Sequence, residues 1–473
     1  MSKYKRLLSN TVILGAGTFA SKVLVFLLMP LYTSILSTAE YGVADIITQT
    51  ANLLMPLAAV GICDALFRFV LDTADTNGEN DRRRIFSSGI LVILIGSAAL
   101  IGAVQLLHIF DVFEGYVWLV AAYVICANLH SAAANFLRAI GKTGLFAIQG
   151  IINTVLTIAL NVLFLVAFDM GALGYVLSVV IADLCMTVFV FFSARLDRFL
   201  SPSAVDGATI RAMMKYSIPY IPTTLMWFIT SVSDRYIVVY YAGATENGLY
   251  AAAYKLPTLL LLVCGVFIEA WQFSVVKDAD EEQRSKFFSD VFKNYSGIIF
   301  MGATMLIAGS RIFTRLLLAD TYYSSWRFVP LLVMAMTFSV LVSFLGSVYF
   351  LEKKSVMSMV TAMAGAAINI VLNFWLIPKR GAMGAAVATM ISYAAVYAIR
   401  AYDTRFYFKF NMHTARVIAN ALILLAQAVM MIGSFRYLYY TQGLFVVAIL
   451  IINGREIVVG VCMLCKKILK KGK

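Results

Sequence analysis

The chain has 473 residues, of which 61% are hydrophobic and only 13% charged. An ordinary soluble surface cannot be built from that composition, so the main solvent of this protein is lipid. The 38 Lys and Arg outnumber the 25 Asp and Glu, giving +13, but no soluble segment is long enough to present the solvated cationic face that nucleic-acid binding needs.

Lys3, Lys5 and Arg6 precede an apolar run that continues past Lys22 to Ile35. That is too long for the h-region of a cleaved secretory signal, and it reads as an uncleaved first helix over 9–35. Further runs of the roughly 20 residues needed to span a bilayer follow at 43–70, 85–108, 115–138, 143–168, 171–193, 212–241, 247–275, 288–310, 326–350, 355–378, 381–402, 415–434 and 439–465. They are continuous rather than alternating in polarity, which excludes a transmembrane β-barrel. The expected fold class is all-α integral membrane with about 14 transmembrane helices.

Cytoplasmic connections are enriched in Lys and Arg. With the N-terminus inside, the inner segments hold 26 of the 38 cations and the outer loops hold six: Arg311, Arg315, Arg327, Lys379, Arg380 and Arg436. This predicts both termini in the cytoplasm. The connections are short, the longest lying at Asp72–Arg84 and Arg195–Ile210. The second, with Pro202 between Ser201 and Ser203, is where a boundary between lobes is expected.

Internal repetition supports two halves. Glu40-Tyr41-Gly42 after the first span matches Glu246-Asn247-Gly248 after the seventh. Leu160-Asn161 followed by Gly171-Ala172-Leu173-Gly174 matches Leu372-Asn373 followed by Gly381-Ala382-Met383-Gly384. The expected organisation is an N-terminal lobe over 1–200 (spans 1 to 6), a C-terminal lobe over 201–405 (spans 7 to 12) and two additional helices over 406–473. An even number of spans between the copies inserts both halves with one orientation, related by an axis along the membrane normal.

No catalytic constellation is present. His108, His130 and His413 fall on different segments, and neither a nucleophile elbow nor a phosphate loop appears. The six cysteines share no spacing and read as small buried hydrophobes, and Cys462-Met463-Leu464-Cys465 has no second pair to complete a metal site. The expectation is a transporter without its own ATPase, not an enzyme, with no cofactor and no bound metal.

Charges inside spans are costly, about 2.5–3.5 kcal/mol each on insertion scales, unless they are paired or wet. Those singled out are Lys22 in the first span; Asp45, Asp64 and Arg68 in the second; Asp234 and Arg235 in the seventh; and Lys255 and Glu269 in the eighth. Pro30, Pro56, Pro219, Pro222 and Pro257 occupy the same four spans, which are therefore expected to bend. The remaining spans of the repeats read as scaffold. Mutual neutralisation is one reading: Asp64 and Arg68 are four apart on a helical face, and Asp234 could meet Lys255. Lys22 has no acid within a turn. With Arg68, Arg235 and Lys255 it forms the expected substrate-binding set, a cationic cavity suited to a phosphate-bearing substrate. Asp64, Asp234, Glu269, Asn369 and Asn373 are candidates for coupling-ion or gating roles. The asparagines, including Asn153 and Asn161 in the fifth span, can equally serve as interhelical hydrogen bonds.

The segments Gly17-Thr18-Phe19-Ala20-Ser21-Lys22, Pro30-Leu31-Tyr32-Thr33, Glu40-Tyr41-Gly42 and Ala65-Leu66-Phe67-Arg68-Phe69 resemble the N-terminal signature of Wzx-type bacterial polysaccharide flippases. Phe136-Leu137-Arg138-Ala139 with Gly141-Lys142, and Tyr216-Ser217-Ile218-Pro219 running to Ser233-Asp234-Arg235-Tyr236, continue the resemblance along the chain. It implies the superfamily that also holds the MATE exporters and lipid II flippases, with two lobes in a V and alternating access. It further implies that an undecaprenyl-diphosphate-linked oligosaccharide is moved from the cytoplasmic to the outer leaflet of the bacterial inner membrane, for O-antigen, capsule or exopolysaccharide. The partners implied are that lipid-linked substrate, membrane lipids, and the polymerase and glycosyltransferases of the pathway. In the related lipid II flippases a sodium ion sits in the C-terminal lobe, and Asp234, Asn369 and Asn373 are its nearest counterparts here.

Coupling to a Na+ or H+ gradient or to the membrane potential is expected, since moving one negative charge out of a negative-inside cell gains about 2.3 kcal/mol per 100 mV. A MATE-like cation-coupled drug exporter is the alternative, disfavoured by the cationic candidates. A membrane-embedded polymerase or ligase is disfavoured by the short outer loops.

Overall fold

The structure, a computed structural model, describes residues 28–73, 78–109, 113, 115–275, 281–352, 354–433 and 437–469. Among them there is no strand, and each expected span from the second to the fourteenth corresponds to helix. The chain is all-α, and it is a multi-pass membrane protein. Of the first span only its end, α1 (Met29–Ile35), is described.

Two compact units divide between Phe228 and Ile229. In the first, α2 (Thr38–Ala58) and α3 (Ile62–Asp72) form a single broken span bent by 50°. The break follows from the sequence: Pro56 removes a backbone donor, and Val60 and Gly61 adopt positive φ of 49° and 66°. Backbone groups exposed by such a break must find partners inside the protein. Two asparagines of α5 (Val117–Ala139) reach carbonyls on either side of the break, Asn128 Nδ2 donating to that of Met55, which also accepts from the Ala59 N–H, and Asn135 Nδ2 to that of Cys63, each at 3.1 Å. On α4 (Glu79–Ala103), Gly96 presses its backbone onto the Ala58 carbonyl where a Cβ has no room.

The remaining helices of this unit are α6 (Thr143–Asn161), α7 (Gly171–Ala194) and α8 (Gly207–Ser217). The connection after α7 is tied to α4: Ser87 Oγ donates to the Phe199 carbonyl at 3.0 Å, and the Asp206 N–H donates to Ser88 Oγ at 3.1 Å. These bonds hold the Pro202 segment and α8 in the first unit, so the division falls within the seventh span and not in that connection.

The seventh and eighth spans run as one helical element, Ile221–Val275, interrupted at Gly243 with φ 84° and ψ 169°; its arms are α9 (221–242) and α10 (244–275). Then come α11 (Glu281–Ala308), the short α12 (Ser310–Leu317) and α13 (Val329–Leu351). The element Ser355–Asp403 is likewise interrupted at Gly381, φ 54°, giving α14 (355–380) and α15 (382–403), and α16 (Thr414–Gly433) and α17 (Leu438–Leu469) follow. An outer loop was expected between α11 and α13. It is instead largely helical, with the Arg311 guanidinium 4.0 Å from the Trp326 ring centroid. The core of the second unit is aromatic: Trp271, Phe288 and Phe344 pack with centroids 4.8 to 6.1 Å apart, and Trp271 Nε1 donates to Ser347 Oγ at 3.0 Å.

The internal repeat has a spatial counterpart. Gly171, with φ 54°, opens α7 against the Glu40 carboxylate, and Gly381, also at φ 54°, opens α15 with Glu246 Oε1 3.3 Å from where its Cβ would lie. The two sequence motifs that recur in each half therefore meet each other within each unit. A side chain at either glycine would need a left-handed backbone and would crowd a carboxylate.

Candidate functional site

Asp234 on α9 is fully buried. Its Oδ2 accepts from the Tyr250 hydroxyl of α10 at 2.5 Å and from Thr389 Oγ1 of α15 at 3.1 Å, and its Oδ1 accepts from the Arg235 backbone N–H at 2.9 Å. Next to it, Ser233 Oγ donates to Asn369 Oδ1 on α14 at 3.2 Å, and Asn373 Nδ2 donates to the same oxygen at 2.8 Å. Four helices, which carry the seventh, eighth, eleventh and twelfth spans, thus meet at one polar cluster inside the second unit. The sequence pairs Asp234 with Lys255 or with the asparagines; the structure puts Tyr250 and Thr389 on the carboxylate and brings the asparagine pair to the adjacent Ser233.

The hydrogen bonding of this cluster is incomplete. Asn369 and Asn373 are both fully buried, yet Asn369 Nδ2 and Asn373 Oδ1 have no hydrogen-bond partner. A buried amide oxygen without a donor is an unmet acceptor, costing about 1–3 kcal/mol when left so. A hard monovalent cation would satisfy it. One carboxylate with hydroxyl and amide oxygens is a donor set for such an ion and not for a soft transition metal, and among the described residues no three His, Cys, Asp or Glu side chains gather to hold a metal. Asp234, Thr389 and Asn373 carry the hard oxygens of this cluster.

The cationic candidates do not behave alike. Lys22 and the side chain of Glu269 lie outside the described residues. Arg68 on α3 is 54% exposed and pairs with Asp72 at 3.4 Å, one turn onward, in place of the Asp64 partner expected from the sequence. Asp64 is itself exposed, near the start of α3. Arg235 is buried, its guanidinium 5.0 Å from the Tyr254 ring centroid. Lys255 is half-buried on α10. Asp45 is buried on α2, and Asn161 is buried at the end of α6, donating to the Thr157 carbonyl at 2.8 Å.

Two polar sites escaped sequence reading. Arg400 is one of the 26 cations that the charge count places in the inner segments, yet it is 2% exposed. Its guanidinium donates to Thr361 Oγ1 and the Val342 carbonyl at 3.0 Å and to the Ser358 carbonyl at 3.2 Å. Tyr349, whose ring lies 5.4 Å from it, donates to Asp403 Oδ2 at 2.6 Å. The second site is in the first unit, where His130 on α5, Gln149 on α6 and Asp183 on α7 join by short hydrogen bonds. The three residues lie on the fourth, fifth and sixth spans. The signal of this site in the sequence is Asp183, an acid at the centre of the apolar run 171–193.

A family model described as polysaccharide biosynthesis protein matches residues 7–273. No curated protein gives a match. Among solved structures, an inward-facing multidrug resistance MATE family transporter of the MOP superfamily superposes with a TM-score of 0.67 at 12% identity, covering 84% of this chain and 95% of that one. The lipid II flippase MurJ in an inward closed conformation gives 0.65 at 16% identity, covering 95% and 100%. The MATE multidrug transporter DinF-BH in complex with R6G gives 0.57 at 18% identity, covering 86% and 98%. At these identities the likeness is one of fold.

Proposed function

This chain belongs to the polysaccharide biosynthesis protein family, and we propose that it flips an undecaprenyl-diphosphate-linked oligosaccharide from the cytoplasmic to the outer leaflet of a bacterial inner membrane by alternating access. The product feeds O-antigen, capsule or exopolysaccharide assembly, with the polymerase and glycosyltransferases of that pathway as partners. The family match carries the reading, and the fold shared with a lipid II flippase supports it. The excess of Lys and Arg in the connections predicted to lie inside supports a topology with both termini cytoplasmic.

In this reading Lys22 and Arg68 meet the diphosphate. A cation in an apolar span is costly unless it is paired or wet. The Asp234 cluster holds the coupling cation: Asp234 supplies the charge, Thr389 and Asn373 supply neutral oxygens, and Tyr250 releases or retains its hydrogen bond as the ion arrives or leaves. Binding there changes the contacts among α9, α10, α14 and α15, so one ion biases the arrangement of the whole unit.

Replacement of Lys22 by Ala in cells that depend on this protein, at unchanged expression, should abolish surface polysaccharide, and Arg68→Ala should reduce it. Full surface polysaccharide in the Lys22→Ala strain defeats the proposal. Drug susceptibility measured in the same strains tests the MATE-like alternative, which predicts sensitisation on deletion and an intact envelope.

A further inference from the structure

The first unit contains a second largely buried ionisable cluster, separate from the one at Asp234. His130 Nδ1 lies 2.8 Å from Asp183 Oδ1, and His130 Nε2 lies 2.7 Å from Gln149 Oε1. Asn153 Nδ2 also donates to Asp183 Oδ1, at 3.2 Å. The His130 and Asp183 side chains are 14% and 12% exposed, and Gln149 is buried at 4%. Three helices, α5, α6 and α7, are joined at this point.

Both ring nitrogens of His130 face oxygens. An imidazole can donate from both only when both are protonated, so the arrangement suits an imidazolium beside a carboxylate. Removal of one proton from Nε2 leaves a lone pair pointing at the Gln149 carbonyl oxygen, a repulsive contact. The relief available is a turn of the Gln149 amide, after which its N–H donates to Nε2 while Nδ1–H stays on Asp183. The proton therefore has a defined acceptor atom, and its presence is read by a side chain on a different helix.

Among the described residues, the groups named around this cluster include no second cation. Tyr123 and Cys126 on α5 lie within the electrostatic reach of Asp183. Tyr175 on α7 lies within that of Asp45 on α2. From α3 comes Cys63, 3.6 Å from the Asn128 carbonyl. From α6 come only the neutral Gln149 and Asn153, and residues 85–103 of α4 contain no ionisable side chain. The carboxylate of Asp183, in contact with the ring, is the group that favours a positive charge on His130.

We propose that His130, paired with Asp183 and sensed by Gln149, is a proton-binding site that couples transport to the proton gradient, separate from the cation cluster at Asp234. The step is simple: His130 Nε2 takes a proton from water on one side of the membrane, the amide of Gln149 turns over, and Nε2 releases the proton on the other side. This inference rests on the transport reading.

The test uses the full chain in liposomes loaded with a pH-sensitive dye, with undecaprenyl-diphosphate bearing a short glycan as the probe. Probe movement and proton movement are recorded together. In the wild type, the probe should move with an accompanying proton signal. His130→Gln, which keeps two hydrogen-bonding atoms, should lose the proton signal and the pH dependence of probe movement, and Gln149→Leu should weaken the coupling while leaving the His130–Asp183 pair. Equal proton signals in wild type and His130→Gln, with the probe moving in both, overturn this inference and leave the transport reading standing. Failure of the wild-type chain to move the probe at all overturns both.

Discussion

The hydroxyl of Tyr250 donates to the carboxylate of Asp234 at 2.5 Å, and both side chains are fully buried. The two residues lie on opposite arms of the Ile221–Val275 element, and the positive φ of Gly243 between them allows the arms to fold back until they meet. Tyr250→Phe removes that donor and leaves Asp234 Oδ2 with Thr389. A hydrogen bond to a charged group contributes about 1.5–3 kcal/mol, so Tyr250→Phe should lower the unfolding free energy by roughly that amount, measured by thermal or denaturant unfolding in detergent. Thr389→Val, which breaks the longer 3.1 Å bond, should cost less. If added sodium raises the unfolding temperature of the wild type, it should no longer do so in Asp234→Asn.

Gly171→Ala and Gly381→Ala should each destabilise their own unit. A left-handed backbone costs an L-residue about 1–2 kcal/mol, and at both positions the new methyl also meets a glutamate carboxylate. Gly243→Ala is the control. It has the same sign of φ but open space around it, so it should show the backbone cost alone. Equal losses at all three positions would remove the glutamate contacts from the explanation.

Asn128→Leu and Asn135→Leu should disturb the broken second span more than a single surface change would. Each removes a side-chain donor from a carbonyl beside the break, a loss of about 1 kcal/mol for a neutral bond; the Met55 carbonyl keeps the Ala59 N–H. Hydrogen exchange over residues 55–66 reads the effect locally. Unchanged exchange there would show that the break does not depend on α5.

Arg400→Lys should fail to replace Arg400. The guanidinium reaches Thr361, Val342 and Ser358 at once through separate nitrogens, a planar fork that an ammonium cannot copy. Arg400→Lys and Arg400→Met should both lower thermal stability, by about 2 kcal/mol or more, with less protein recovered from the membrane. Near-normal stability of Arg400→Lys would show that only the charge matters at this position.

The lipid-facing all-α class, the order of the spans, the repeat and the family resemblance are all legible in the residues alone. Each of these is written along the chain: apolar runs long enough to span, turn glycines at a nearly constant offset, and signature segments in order. The broken second span was legible through Pro56. Partnership was not, because it depends on which faces of distant helices meet. Asp64 and Arg68 are well spaced for an ion pair, yet Arg68 turns to Asp72. Asp234 and Tyr250 are separated by a break that only the backbone of Gly243 defines. Arg400 looks like a loop cation until Thr361, Ser358 and the Val342 carbonyl enclose it, and His130, Gln149 and Asp183 look like isolated polar residues until α5, α6 and α7 bring them together. A buried polar group is tolerated only when its hydrogen bonds are met, and that condition is set by the packing of helices far apart in the chain.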